Sequence, residues 1–236
     1  MKTLLLLLGG LKFGKILLTG GTMLLTVFAY SWIFGWWYAI GFVLLIFVHE
    51  MGHYVAARRR GLDVGAPTFI PFVGAWIQMK EMPHDAEVEA YVGLAGPLVG
   101  TLGALVCFYL SRHFDSQLLL ALSYAGFFLN LINLIPLSPF DGGRVTAVIS
   151  PKLWLIGAPI LVAMFLYRPS PLLMIMALLA LPQVMKAWRG PQTDEERAYY
   201  NVSFEARANY GFFYVGLVVF LAVMCHDLQQ ELPRVR

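Results

Sequence analysis

Seven apolar runs limit what this chain can fold into. They lie near 16–32, 34–57, 89–110, 117–135, 152–167, 171–187 and 210–226. A helix needs about 20 mostly apolar residues to cross a bilayer. Hydrophobic residues make up 59% of the chain and charged ones 13%. A soluble domain carries about 25% charged residues, so this chain has too little charge to coat a water-facing surface. The mean hydropathy of +0.69 agrees. The expected fold is an all-α polytopic membrane protein with six to seven transmembrane helices. The fifth run is short and contains Pro159, which predicts a kinked or partly inserted helix.

Positive residues orient the spans. Lys2, Lys12 and Lys15 precede the first, and Arg58, Arg59 and Arg60 close the second. Arg144 and Lys152 stand between the fourth and fifth. Lys186, Arg189, Arg197 and Arg207 stand between the sixth and seventh. If the runs cross in turn, all of these fall on one side, which the positive-inside rule makes cytoplasmic. Arg234 and Arg236 fall on the other. The net charge of +3 is scattered, with no long basic run, so no nucleic-acid surface is expected.

The connecting segments are of different kinds. The start, MKTLLLLLGG, has too short an apolar run for a signal peptide, so an uncleaved, short interfacial helix is expected. Residues 63–82 are rich in Pro, Gly, aromatic and β-branched residues. They are too broken for a helix and too apolar for a solvated loop. A re-entrant, β-hairpin-like segment near 65–80 is expected, with an ordinary loop as the alternative. Residues 190–209 form a polar connector, on which the Asn201-Val202-Ser203 sequon would be inert. Cys107 and Cys225 lie in apolar runs without C-x-x-C spacing and read as packing residues.

At the end of the second run stands His49-Glu50-Met51-Gly52-His53, an H-E-x-x-H pattern. On a helix, i and i+4 share a face, so both imidazoles can reach one zinc ion. Glu50 can then act as general base toward the attacking water. Ionisable residues are costly in hydrocarbon and default to functional readings. A catalytic zinc takes three protein ligands. His113 and His226 fall on the opposite side of the membrane. His84 lies in a polar linker and reads as solvated. Asp141 follows the fourth run on the correct side, among Pro136, Pro139, Gly142 and Gly143. It is the favoured third ligand; a plain turn aspartate is the alternative. Asn133 either bonds the developing oxyanion or satisfies a backbone group. Gly93, Gly96, Gly100 and Gly103 predict close packing of the third span on a neighbour.

HEMGH at the end of an apolar span, followed by Asn133-x-x-Pro136 and Asp141-Gly142, resembles the site-2 protease family of intramembrane zinc metalloproteases, peptidase family M50. The resemblance covers roughly 19–149, including FIPFVGAWIQM and GLAGPLVG. It implies one zinc ion held by His49, His53 and Asp141, Glu50 as general base and Asn133 assisting the transition state. Phe140 stands where the family often has Leu. The implied substrates are membrane proteins with transmembrane helices, cut in the bilayer of a cell membrane near the cytoplasmic face. The chain then reads as one domain, 1–236, with a catalytic core of about 19–149 and C-terminal helices of about 152–226. No segment resembles an inserted PDZ or an appended CBS domain. Two other classes remain: a catalytically silent, chaperone-like relative, and a transporter using buried His and Glu.

Overall fold

The computed structural model describes residues 2–77 and 83–232. Nine α-helices and one two-stranded sheet account for most of them. The helices are α1 (Lys2–Phe34), α2 (Trp36–Arg59), α3 (Ala86–Phe114), α4 (Gln117–Asn133), α5 (Asp141–Ile149), α6 (Trp154–Tyr167), α7 (Pro171–Arg189), α8 (Asp194–Tyr199) and α9 (Phe204–Glu231). Five of them, in α1, α2, α3, α7 and α9, are long and apolar enough to cross a membrane. The shorter apolar pieces are Gln117–Asn133 and Pro151–Tyr167. At 1.5 Å per residue α6 is about 21 Å long, short of the roughly 30 Å hydrocarbon core, as its length and Pro159 suggested.

The start differs from the expectation. No separate interfacial helix forms; α1 runs unbroken from Lys2 to Phe34. It contains no proline, and glycine is more frequent in transmembrane helices than in soluble ones. One residue, Gly35, separates α1 from α2. Its φ of +80° turns the chain, a conformation that glycine adopts without a Cβ clash.

Helix α3 runs opposite to α2 and in the same direction as α9, as contacts at their ends show. At one face Arg60 lies 4.2 Å over the Tyr91 ring near the start of α3, and Lys186 pairs with Glu196 at 3.0 Å. At the opposite face Arg112, near the end of α3, pairs with Glu231, the last residue of α9, at 2.6 Å. His113 and His226 are exposed at that second face, as the alternation required. Arg234 and Arg236 lie outside the described residues.

Thr68–Ile70 (β1) and Gly74–Trp76 (β2) pair antiparallel, Thr68 with Trp76 and Ile70 with Gly74. This is the expected hairpin within 65–80; residues 78–80 of that range lie outside the described residues. Two threonines of α1 hold it. Thr19 Oγ1 donates to the Pro67 carbonyl at 2.7 Å, and Phe69 N–H donates to Thr22 Oγ1 at 3.2 Å. Phe69 is buried with Val27, Val43 and Ile46 of α1 and α2. Its turn exposes Phe72 and Val73, an apolar tip suited to lipid or protein rather than water.

Candidate metal centre

α2 carries His49 and His53 one turn apart, and both are buried. Asp141 is the first residue of α5, 88 positions beyond His53. Two close backbone contacts bring it there. A Cβ on Gly142 would fall 2.2 Å from the Leu134 carbonyl oxygen, and one on Gly143 2.7 Å from the Leu137 carbonyl carbon. The chain leaving α4 therefore folds directly onto the start of α5. Trp154 Nε1 donates to the Gly143 carbonyl at 2.8 Å, and Tyr214 OH to the Leu134 carbonyl at 2.6 Å, fixing this turn.

Three ligand atoms converge. His49 Nε2 and His53 Nε2 lie 3.1 Å apart, and each is within 3.2 Å of Asp141 Oδ2. The other ring nitrogens fix the tautomers. His53 Nδ1 faces the Val92 carbonyl at 2.8 Å, which can only accept, so Nδ1 carries the proton. Asn130 Nδ2 donates to the Gly126 carbonyl at 2.7 Å, which turns its Oδ1 toward His49 Nδ1 at 2.8 Å. His49 Nδ1 must then donate as well. Both Nε2 atoms thus present lone pairs to each other and to a carboxylate oxygen. Such a set repels itself until a cation enters, and N,N,O donors with outer hydrogen bonds suit a divalent metal ion. Among the described residues this is the one group of three His, Cys, Asp or Glu side chains so placed.

Glu50 is buried beside these ligands and has no hydrogen-bond partner among the described residues. It lines a cavity of about 550 Å³ bounded by α2, the hairpin, α5 and α7. His49, His53, Asp141 and Asn133 line the same cavity, as do Ile70, Ala75 and Ile77 of the hairpin segment. A cavity between the spans is what the motif required. Asn133 reaches it, with its amide donating to the Leu129 carbonyl at 3.0 Å. His84 is exposed and takes no part.

Sequence reasoning missed Asn130, which sits one turn before Asn133 and is 1% exposed. The signal was present: an amide inside an apolar span needs a partner. It also gave the α3 glycines only a packing role. A Cβ on Gly96 would lie 2.2 Å from His53 Nε2, and one on Gly100 2.4 Å from Asn130 Oδ1. These glycines make room for the ligand shell itself.

Parts of the chain resemble known proteins. Residues 37–116 match peptidase family M50. A zinc metalloprotease of Methanocaldococcus jannaschii is 33% identical over 123 residues, 49% of this chain and 35% of the relative. The segment 37–116 is thus similar to peptidase family M50. The family match includes His49, Glu50 and His53 and ends before Asp141, so Asp141 is a candidate third ligand on geometry alone. A solved site-2 protease from the same organism is 27% identical, with a TM-score of 0.47, covering 72% of this chain and 87% of that one. The chain spans about a third of the length of the zinc metalloprotease it matches.

Proposed function

We propose that this chain is a zinc metalloendopeptidase that hydrolyses peptide bonds in or near transmembrane segments of membrane proteins. The observation that carries the reading is the meeting of two imidazole lone pairs and a carboxylate oxygen, with Glu50 beside them, in a cavity among apolar helices. His49, His53 and Asp141 would hold the ion. Zinc, once bound, supplies a Lewis acid that polarises the scissile carbonyl and acidifies water. Glu50 takes the proton of the attacking water and returns it to the leaving amine, so no net proton is consumed by the base. Asn133, on the cavity wall, is placed in the role of stabilising charge on the former carbonyl oxygen.

A peptide bond inside a helix is shielded, so the substrate must be extended before it is cut. The hairpin supports this step. β1 is tied to α1 and paired to β2, while β2 residues line the cavity. A strand edge there can pair with an extended substrate through backbone hydrogen bonds. The arginines ending α2, with Arg144, Lys186, Arg189, Arg197 and Arg207, support a cytoplasmic position for this end of the site. The whole of 1–236 then acts as one catalytic unit.

Glu50→Gln is the direct test. The variant should keep zinc at wild-type stoichiometry and lose cleavage of a membrane-embedded test substrate by at least about 100-fold. Full activity would refute the mechanism. A transporter using buried His and Glu predicts instead that His49→Ala and Asp141→Ala lose no bound zinc.

A further inference from the structure

A second cavity, of about 640 Å³, lies on the back of α2, between α2, α3 and α9. The walls are apolar, with Val55, Leu94, Leu98 and Phe213 among them. Val55, Leu98 and Phe213 remain partly exposed to what surrounds the protein. One end is polar: Arg59, Asn209 and Tyr210 close it at the face where α2 ends and α9 begins. Its floor includes Met51 and Gly52, the two middle residues of the HEMGH motif.

We infer that this groove binds an anionic glycerophospholipid, with acyl chain in the groove and phosphate at Arg59. Two observations converge on that occupant. First, depth: on α2 the groove runs from Met51 to Arg59, about 12 Å at 1.5 Å per residue, most of one leaflet of a roughly 30 Å core. Second, charge: Arg58 pairs with Asp63 at 3.7 Å and Arg60 lies over Tyr91 at 4.2 Å, whereas Arg59 has no ion pair among the described residues. An exposed arginine above an apolar groove at a span end matches a lipid phosphate above its chain.

The experiment is titration of delipidated, zinc-loaded protein by native mass spectrometry. The probes are phosphatidylglycerol and phosphatidylcholine with identical chains. Wild type should prefer the anionic lipid by about fivefold, the effect of one arginine near an anionic surface. Arg59→Gln should bring the two lipids within about twofold, while Arg58→Gln keeps the preference. Leu98→Trp, which fills the groove, should weaken both lipids together. Zinc content serves as the folding control for every variant. No preference in wild type overturns the inference, as does a preference that survives Arg59→Gln, which would report diffuse surface charge. Undiminished lipid binding in Leu98→Trp, or retention of a second copy of the chain instead of lipid, overturns it as well.

Discussion

At the residue scale, the metal centre depends on what is missing beside it as much as on its ligands. His53 lies against Gly96, where any Cβ would meet the imidazole at 2.2 Å and the helix backbone leaves it nowhere to go. Gly96→Ala should therefore displace His53 and lower zinc affinity by about 10-fold or more. Gly103→Ala, whose Cβ would meet only flexible Val48 and Leu45 side chains at 3.2–3.3 Å, should bind zinc as wild type does. Chelator competition measures both. Asn130 gives a second test. It accepts from His49 Nδ1, so Asn130→Ala releases the tautomer and should cost 10- to 100-fold in zinc affinity. Asn133→Ala should leave affinity within about twofold while slowing turnover by about 10-fold or more. Equal losses of affinity in the two variants would contradict the division of labour between these amides. HEMGH was legible because its spacing is helical and its surroundings are apolar. Asn130 was not, because a single polar residue in a span names no partner, and its partner lies 81 positions away.

At the scale of elements, the hairpin was legible from composition but its anchor was not. Pro, Gly and aromatic residues within 63–82 marked broken, apolar backbone. Nothing in the sequence pairs Thr19 and Thr22 with it, since both read as ordinary span residues. Their hydroxyls are worth about 1 kcal/mol each when replaced together with their bonds. Thr19→Val with Thr22→Val should loosen β1 and raise hydrogen exchange over 68–76, with α3 and α4 unchanged. If substrate pairs with β2, the same variant raises KM more than it lowers kcat. Ala75→Pro removes a backbone donor at the centre of β2 and should cut turnover further. The start of α1 marks the reverse case. A short apolar run suggested a separate interfacial helix, and α1 continues through it because nothing there opposes continuation.

For the whole molecule, the alternation of the spans follows from the order of the apolar runs, and ion pairs at both faces agree with it. Cysteines placed at His113 and His226, in a chain with Cys107 and Cys225 replaced, should be labelled from the face opposite to cysteines at Gly61 and His84. Labelling of all four from one side would break the seven-run topology. The Arg112–Glu231 pair joins two exposed helix ends, so its removal should change the melting temperature little. The place of α7 in the cavity wall, through Leu172, Ile175, Met176 and Leu179, was not legible. Hydropathy counts helices but does not say which ones line a cavity.

The 88 positions between His53 and Asp141 have a consequence for how the chain is tied together. A bound ion joins α2 to α5 and closes a ring of chain that contains the hairpin, α3 and α4. Helices α1 and α6 to α9 hang outside it. Such a clasp restricts the unfolded ensemble as a cross-link of that span would, and unlike a disulfide it is undone by a chelator. Stripping the ion should therefore lower the resistance of residues 54–140 to proteolysis more than it lowers that of α9.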